Sequence, residues 1–218
     1  VNVRLIAITK PHHLLEQDGI KTAEQLIVYA ARVSNPSNQT NTETGARLLN
    51  YCIRNGHWSV FETVSMTVEI TTSRAIAAQI LRHRSFTFQE FSQRYAQAMM
   101  PERIDLRTQH PTNRQASGVA MHNVQLAEMT LDVVEQAFKV YEHLLDNGVS
   151  KETARMVLPL CTQTTLYMTG NVRSWIHYLE QRTSEGTQTE HRQIAEAINV
   201  IFDEQFPNVA KAIYESHT

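Results

Sequence analysis

The stretch that decides the fold runs from residue 64 to residue 95 and reads VSMTVEITTSRAIAAQILRHRSFTFQEFSQRY. Val64, Met66, Val68 and Ile70 stand at every second position, which puts them on one buried face of a strand. SRAIAAQIL, residues 73–81, is rich in strong helix formers. The helix ends in Arg82, His83 and Arg84, cations that sit favourably against the negative end of its dipole and can fan outward there. Thr87 and Phe88 favour extended chain again, so Glu90, Ser92 and Arg94, spaced by two, share one face: an anionic acceptor, a hydroxyl and a further cation. Three of the chain's 20 Lys and Arg residues thus fall within fourteen positions, 82–95. Such arginines resist joint desolvation unless anions pair with them, so the segment predicts a phosphorylated ligand.

Outward from this segment, residues 2–9 alternate as a strand, 22–32 and 44–54 read as helices, and 61–71 as a long strand. Leu48, Leu49, Cys52 and Ile53 form the apolar stripe of the second helix, Asn55 and Gly56 stop it, and His57 falls in the turn before the strand. Residues 118–145 carry a long amphipathic pattern broken at Asn147-Gly148, and the rest of the C-terminal half reads as almost wholly helical. In ETARMVLPL, residues 152–160, Ala154, Val157 and Leu158 recur at helical spacing with Arg155 off the stripe. In NVRSWIHYLEQR, residues 171–182, Trp175, Ile176 and Leu179 form the stripe, with Asn171, His177 and Arg182 off it. Pro101, Pro111 and the polar residues between them read as a mobile loop. The expected fold is α+β: one domain over residues 1–218, with a small antiparallel sheet and a mostly helical C-terminal half.

Composition narrows the function. A formal charge of -2 argues against a broad nucleic-acid footprint, which needs a basic stripe. Two cysteines, Cys52 and Cys161, in apolar and helix-like surroundings make no disulfide framework. The chain has no run apolar enough to span a bilayer and no signal-peptide-like start, so the expectation is a cytoplasmic protein with neither a membrane nor a nucleic-acid partner. No GxGxxG follows a strand, and no HExxH or close His/Asp pair announces a metal, so none is expected.

The pattern Arg-His-Arg, seven residues, Ser92, and Arg94 two further on resembles the signature of the flavin-dependent thymidylate synthases. Three other blocks resemble the family in the same order: NGHWSVFE at 55–62, ETARMVLPL, and NVRSWIHYLEQR with Gln188 and Glu190 beyond it. The resemblance implies FAD as cofactor, held by His57, Ser59, Arg82, His83, Arg84, Glu90, Asn171 and His177. It implies dUMP as substrate, in a site lined by Gln79, Arg82, Glu90, Ser92, Gln93, Arg94, Arg155 and Arg182. It also implies 5,10-methylenetetrahydrofolate and NADPH as co-substrates, and a homotetramer whose sites draw on several subunits. The chain departs from the family pattern at Thr87 and Gln89, where Ser and Asn are usual, which bears on ligand geometry near Gln89.

Methylating C5 of uracil requires a nucleophilic pyrimidine, and the usual device is a cysteine thiolate at C6. Neither cysteine here sits in an electropositive motif. A guanidinium can stabilise charge on the ring directly, and Arg182 is the catalytic residue the resemblance points to. Two other classes compete: a metal-dependent hydrolase using some of the ten histidines, and a noncatalytic nucleic-acid or partner-binding module that uses RHR as a phosphate clamp.

Overall fold

The computed structural model describes residues 2–98 and 100–216. Along the chain lie β1 (Asn2–Ile8), α1 (His13–Gln17), α2 (Ala23–Ala31), α3 (Gly45–Arg54), β2 (Ser65–Ser73), α4 (Arg74–Ile80), β3 (Thr87–Glu90), β4 (Arg107–Gln109) and β5 (Ser117–Ala120). There follow α5 (Val124–Asp146), α6 (Lys151–Ala154), β6 (Gln163–Asn171), α7 (Val172–Arg182), α8 (Thr189–Gln205) and α9 (Pro207–Ser216). The α+β expectation holds: the main sheet is four-stranded and antiparallel, in the order β1-β2-β6-β3.

The decisive stretch folds as read through β3, but residues 93–95 turn, with the Tyr95 and Ala96 N–H groups bonded to the Ser92 carbonyl, so Glu90, Ser92 and Arg94 do not share an extended face. Met66, Val68 and Ile70 are fully buried on one face of β2, and Leu166 and Met168 continue that face on β6. The other face carries paired hydroxyls, Thr67 with Thr169 at 2.9 Å and Thr71 with Thr165 at 3.2 Å. α4, α7 and α8 pack against the sheet, and α2, α3 and α9 extend the same core. Trp175 pins α7 onto the sheet by donating its indole N–H to the Met66 carbonyl at 3.1 Å. α3 ends where expected, with Gly56 at φ +67, a left-handed conformation that glycine adopts without a Cβ penalty.

Several readings are corrected. The C-terminal half is not wholly helical, because β6 lies at the centre of the sheet, hydrogen-bonded to β2 on one side and β3 on the other. Its threonines and Gly170 masked the alternation. Gly170 is there because Phe86 lies so close that an added Cβ would overlap its ring. Residues 152–160 make only the single turn α6 and a 3-10 turn, Arg155–Val157. Leu158 is extended at ψ 137, as a residue before proline prefers. The pattern over 118–145 begins as strand β5, and α5 starts only where the Asn123 side chain accepts from the Leu126 N–H at 3.0 Å. The first residues of 61–71 belong to a 3-10 turn, Trp58–Glu62.

The segment read as a mobile loop is a pinned hairpin. β4 pairs with β5, Glu102 accepts from the Ser73 N–H at 2.8 Å, and Arg107 reaches Glu190 on α8 at 2.7 Å. Among the described residues no helix is long and apolar enough to cross a membrane, and no group of three His, Cys, Asp or Glu could hold a metal ion.

Candidate active site

The end of α4 and the end of α7 meet across a cleft of about 480 Å³ lined by Gln79, Arg82, His83, Gln181 and Arg182. α4 carries Gln79 there because Ile76, Ala77 and Ile80 hold the helix in the core. α7 carries Arg182 there because Trp175, Ile176 and Leu179 hold the other face of its helix. Arg182 Nε donates to His83 Nε2 at 2.9 Å, which requires that nitrogen to be unprotonated. Burial, aided by the Arg182 charge, lowers His83 to a pKa of about 4, so the imidazole is neutral at physiological pH. Its accepting nitrogen orients the guanidinium and leaves the two terminal amino groups of Arg182 without an acidic partner among the described residues.

Behind this wall lies a histidine that the sequence reading passed over. His191 is fully buried, with Nε2 at 3.1 Å from the Tyr178 hydroxyl and Nδ1 at 3.2 Å from Gln79 Oε1. Burial, then the charges of Arg182 and His83, lower it to about 4 as well. The signal was present: His191, Ile194, Ala195, Ile198 and Phe202 recur at helical spacing and are all buried in α8.

The remaining expected site residues fall into two further groups. His57 and Ser59 flank Trp58, whose ring lies 5.3 Å from that of His177, so the blocks at 55–62 and 171–182 do meet. Asn171 caps α7, its side chain accepting from the Ser174 N–H at 2.9 Å. In the third group, Arg94 contacts the Glu152 carboxylate at 3.4 Å while Arg155 Nε donates to the Glu152 carbonyl at 3.3 Å. These two arginines, 61 positions apart in sequence, are thereby brought to one edge. Ser92 is exposed beside them, and Gln93 is buried with its amide nitrogen lacking a hydrogen-bond partner. Glu90 is held on the sheet by Arg74 at 3.2 Å and Thr164 at 3.0 Å. Arg82 and Arg84 are exposed and have no acidic partner among the described residues.

Both cysteines are buried and free, and burial raises both thiols above the ordinary value. Neither is a ready thiolate. The cleft therefore offers cationic and N–H donors without an activated cysteine nucleophile.

Comparison with known proteins agrees over nearly the whole chain. A family model described as thymidylate synthase complementing protein matches residues 13–208. A probable flavin-dependent thymidylate synthase of Paramecium bursaria Chlorella virus 1 is 50% identical over 220 residues, covering 98% of this chain and 99% of the relative. A flavin-dependent thymidylate synthase of Synechocystis sp. is 48% identical over 216 residues, covering 98% and 99%. Among solved structures, a UMP/dUMP methylase from Streptomyces cacaoi bound with 5-Br dUMP superposes with a TM-score of 0.77 at 25% identity, covering 98% of this chain and 94% of that one. With the RHR segment, the Arg182 cleft and these relatives in agreement, the chain belongs to the thymidylate synthase complementing protein family, that of the flavin-dependent thymidylate synthases.

Proposed function

We propose that this protein is a flavin-dependent thymidylate synthase, converting dUMP to dTMP with 5,10-methylenetetrahydrofolate as carbon donor and NADPH as reductant, in the cytoplasm. The observation that carries the reading is Arg182, held at the cleft wall by neutral His83 with its terminal donors available, in a protein whose two thiols are buried. The relatives' names and the solved dUMP-analogue complex of a structural neighbour support it. The phosphate-clamp module has no comparable observation in its favour.

The residues fit a flavin dinucleotide on the chemistry of their donors. Arg82 and Arg84 are unpaired cations suited to a pyrophosphate, and His57, Ser59 and His177 cluster around Trp58. In this proposal those residues hold FAD, together with His83, Glu90 and Asn171. The bound flavin supplies the reducing equivalents that complete the methyl group. Arg94 and Arg155 take the nucleotide's phosphate and sugar, with Ser92, Gln93 and Glu90 around them and Gln79 and Arg82 toward the base. Arg182 stabilises negative charge that develops on the pyrimidine as C5 becomes nucleophilic, which is where a fixed donor acts most strongly.

In this proposal the site is completed by self-association into a homotetramer. α5 supports this. Only Val134 and Tyr141 of its 23 residues are buried, while Leu126, Met129, Val133 and Val140 are exposed at offsets of 3, 4 and 7, one continuous stripe. Such a stripe suits a second copy of this chain better than water.

The deciding assay is dTMP formation from dUMP, methylenetetrahydrofolate and NADPH, with and without added FAD, at low oxygen. Product that depends on FAD supports the reading. Folded, flavin-loaded protein that makes none refutes it.

A further inference from the structure

Gln79, Gln188, Glu190 and His191 form one chain of hydrogen bonds, and its direction can be fixed from its charged end. Arg107 donates to Glu190 Oε1 at 2.7 Å. Burial opposes ionisation of Glu190, but its backbone hydrogen bond, Gln188 and Arg107 together hold the carboxyl below its ordinary value. A carboxylate only accepts, so Gln188 must turn its NH₂ toward Glu190 Oε2, at 3.0 Å. Gln188 Oε1 then faces Gln79 and must receive the Gln79 amide N–H, at 2.6 Å. Gln79 Oε1 is left facing His191 Nδ1 at 3.2 Å, so Nδ1 carries the proton. Nε2 of His191 is then bare and accepts from the Tyr178 hydroxyl at 3.1 Å. Each link pairs a donor with an acceptor, and reversing any one amide sets two like groups against each other.

We propose that the relay from Glu190 through Gln188 fixes the amide polarity of Gln79 at the wall of the cleft, and that His191, as its Nδ1–H tautomer, is the positioning residue that holds Gln79 Oε1 turned inward. Gln79 then has one N–H engaged by Gln188 and one left for a ligand. Arg82 and Arg182, which share the cleft, also present only donors. Gln181 can offer either polarity, so this wall favours hydrogen-bond acceptors, and the pyrimidine carbonyls of dUMP meet that requirement. This last step rests on the proposed function; the tautomer does not.

Two measurements separate the parts. ¹⁵N NMR of the histidine-labelled holoenzyme at neutral pH, with His191→Leu used to assign the resonance, is expected to show His191 protonated at Nδ1 only. A resonance for the Nε2–H form or for the imidazolium overturns the directional chain. Binding and kinetics then test the consequence. His191→Leu is expected to raise KM for dUMP about tenfold, the scale of one hydrogen bond, with a smaller change in kcat. His191→Asn, whose amide nitrogen can occupy the Nδ1 position, is expected to recover most of the loss. Tyr178→Phe leaves Gln79 bonded to both Gln188 and His191, so the Nδ1–H tautomer and the KM for dUMP are expected to stay near wild type. Wild-type KM in folded His191→Leu protein overturns the positioning role, as does a tenfold loss in folded Tyr178→Phe. Failure of the wild-type protein to bind dUMP instead overturns the proposed function, while the NMR result stands independently.

Discussion

Arg182 and His83 divide the work of one site: one supplies charge and the other holds it in place. A neutral imidazole can accept from Arg182 Nε, whereas an imidazolium would repel it, so the lowered pKa of His83 is part of the geometry. Arg182→Ala is expected to cost about 10² to 10³ in turnover with fold and flavin content intact, the scale of removing one preorganised donor. Near-normal turnover in such a variant would remove Arg182 from the mechanism. His83 and His191 also make stability pH-dependent. Both are lowered to about 4 in the folded protein against about 6.5 when unfolded, so between those values the unfolded chain binds protons that the native protein does not. Stability is therefore fully present above pH 6.5 and declines toward pH 4. Fully buried His191 contributes a slope of up to about 1.4 kcal/mol per pH unit, and half-buried His83 less. Urea unfolding from pH 7.5 to 5 measures it; a midpoint that does not fall, or that falls equally in His191→Leu, would contradict this.

The elements position the site through their ends. α4 closes with the cationic turn, α7 closes with Arg182, and the start of α7 is set by Asn171. Sequence resemblance gives Asn171 a flavin role, and the structure gives it a capping role; the two are separable. Asn171→Ala is expected to cost about 1 kcal/mol through the lost cap, whereas Asn171→Asp retains a capping oxygen. Denaturation of both variants alongside flavin titration distinguishes the roles: weaker flavin in a fully stable Asp variant marks direct contact. β6 was the element least legible in sequence. Its two large buried side chains, Leu166 and Met168, are followed by Thr169, Gly170 and Asn171, of which Gly and Asn suit turns and helix ends, and only pairing with β2 and β3 reveals the strand. The same strand delivers Asn171 and so fixes where α7 begins.

At the scale of the whole molecule, α5 is the subunit contact of the proposed assembly. Placing a charge in its stripe, as in Val133→Glu, is expected to shift the protein toward smaller species in light scattering and to reduce activity in parallel. An unchanged oligomer with unchanged activity would place the subunit contact elsewhere. The sequence alone determined the strand, helix and cationic turn of 64–84, because alternation and helix propensity are local properties, and the spacing of Arg82, His83, Arg84, Ser92 and Arg94, together with the blocks at 55–62, 152–160 and 171–182, indicated the family. It could not show that Arg94 and Arg155 meet around Glu152, that His83 holds Arg182, or that a buried histidine stands behind Gln79. Those relations join residues 61 to 112 positions apart, and only sheet pairing and helix packing bring such residues within hydrogen-bonding distance. Tertiary structure also decided which histidines are neutral, since that depends on burial beside a guanidinium and not on neighbours in sequence.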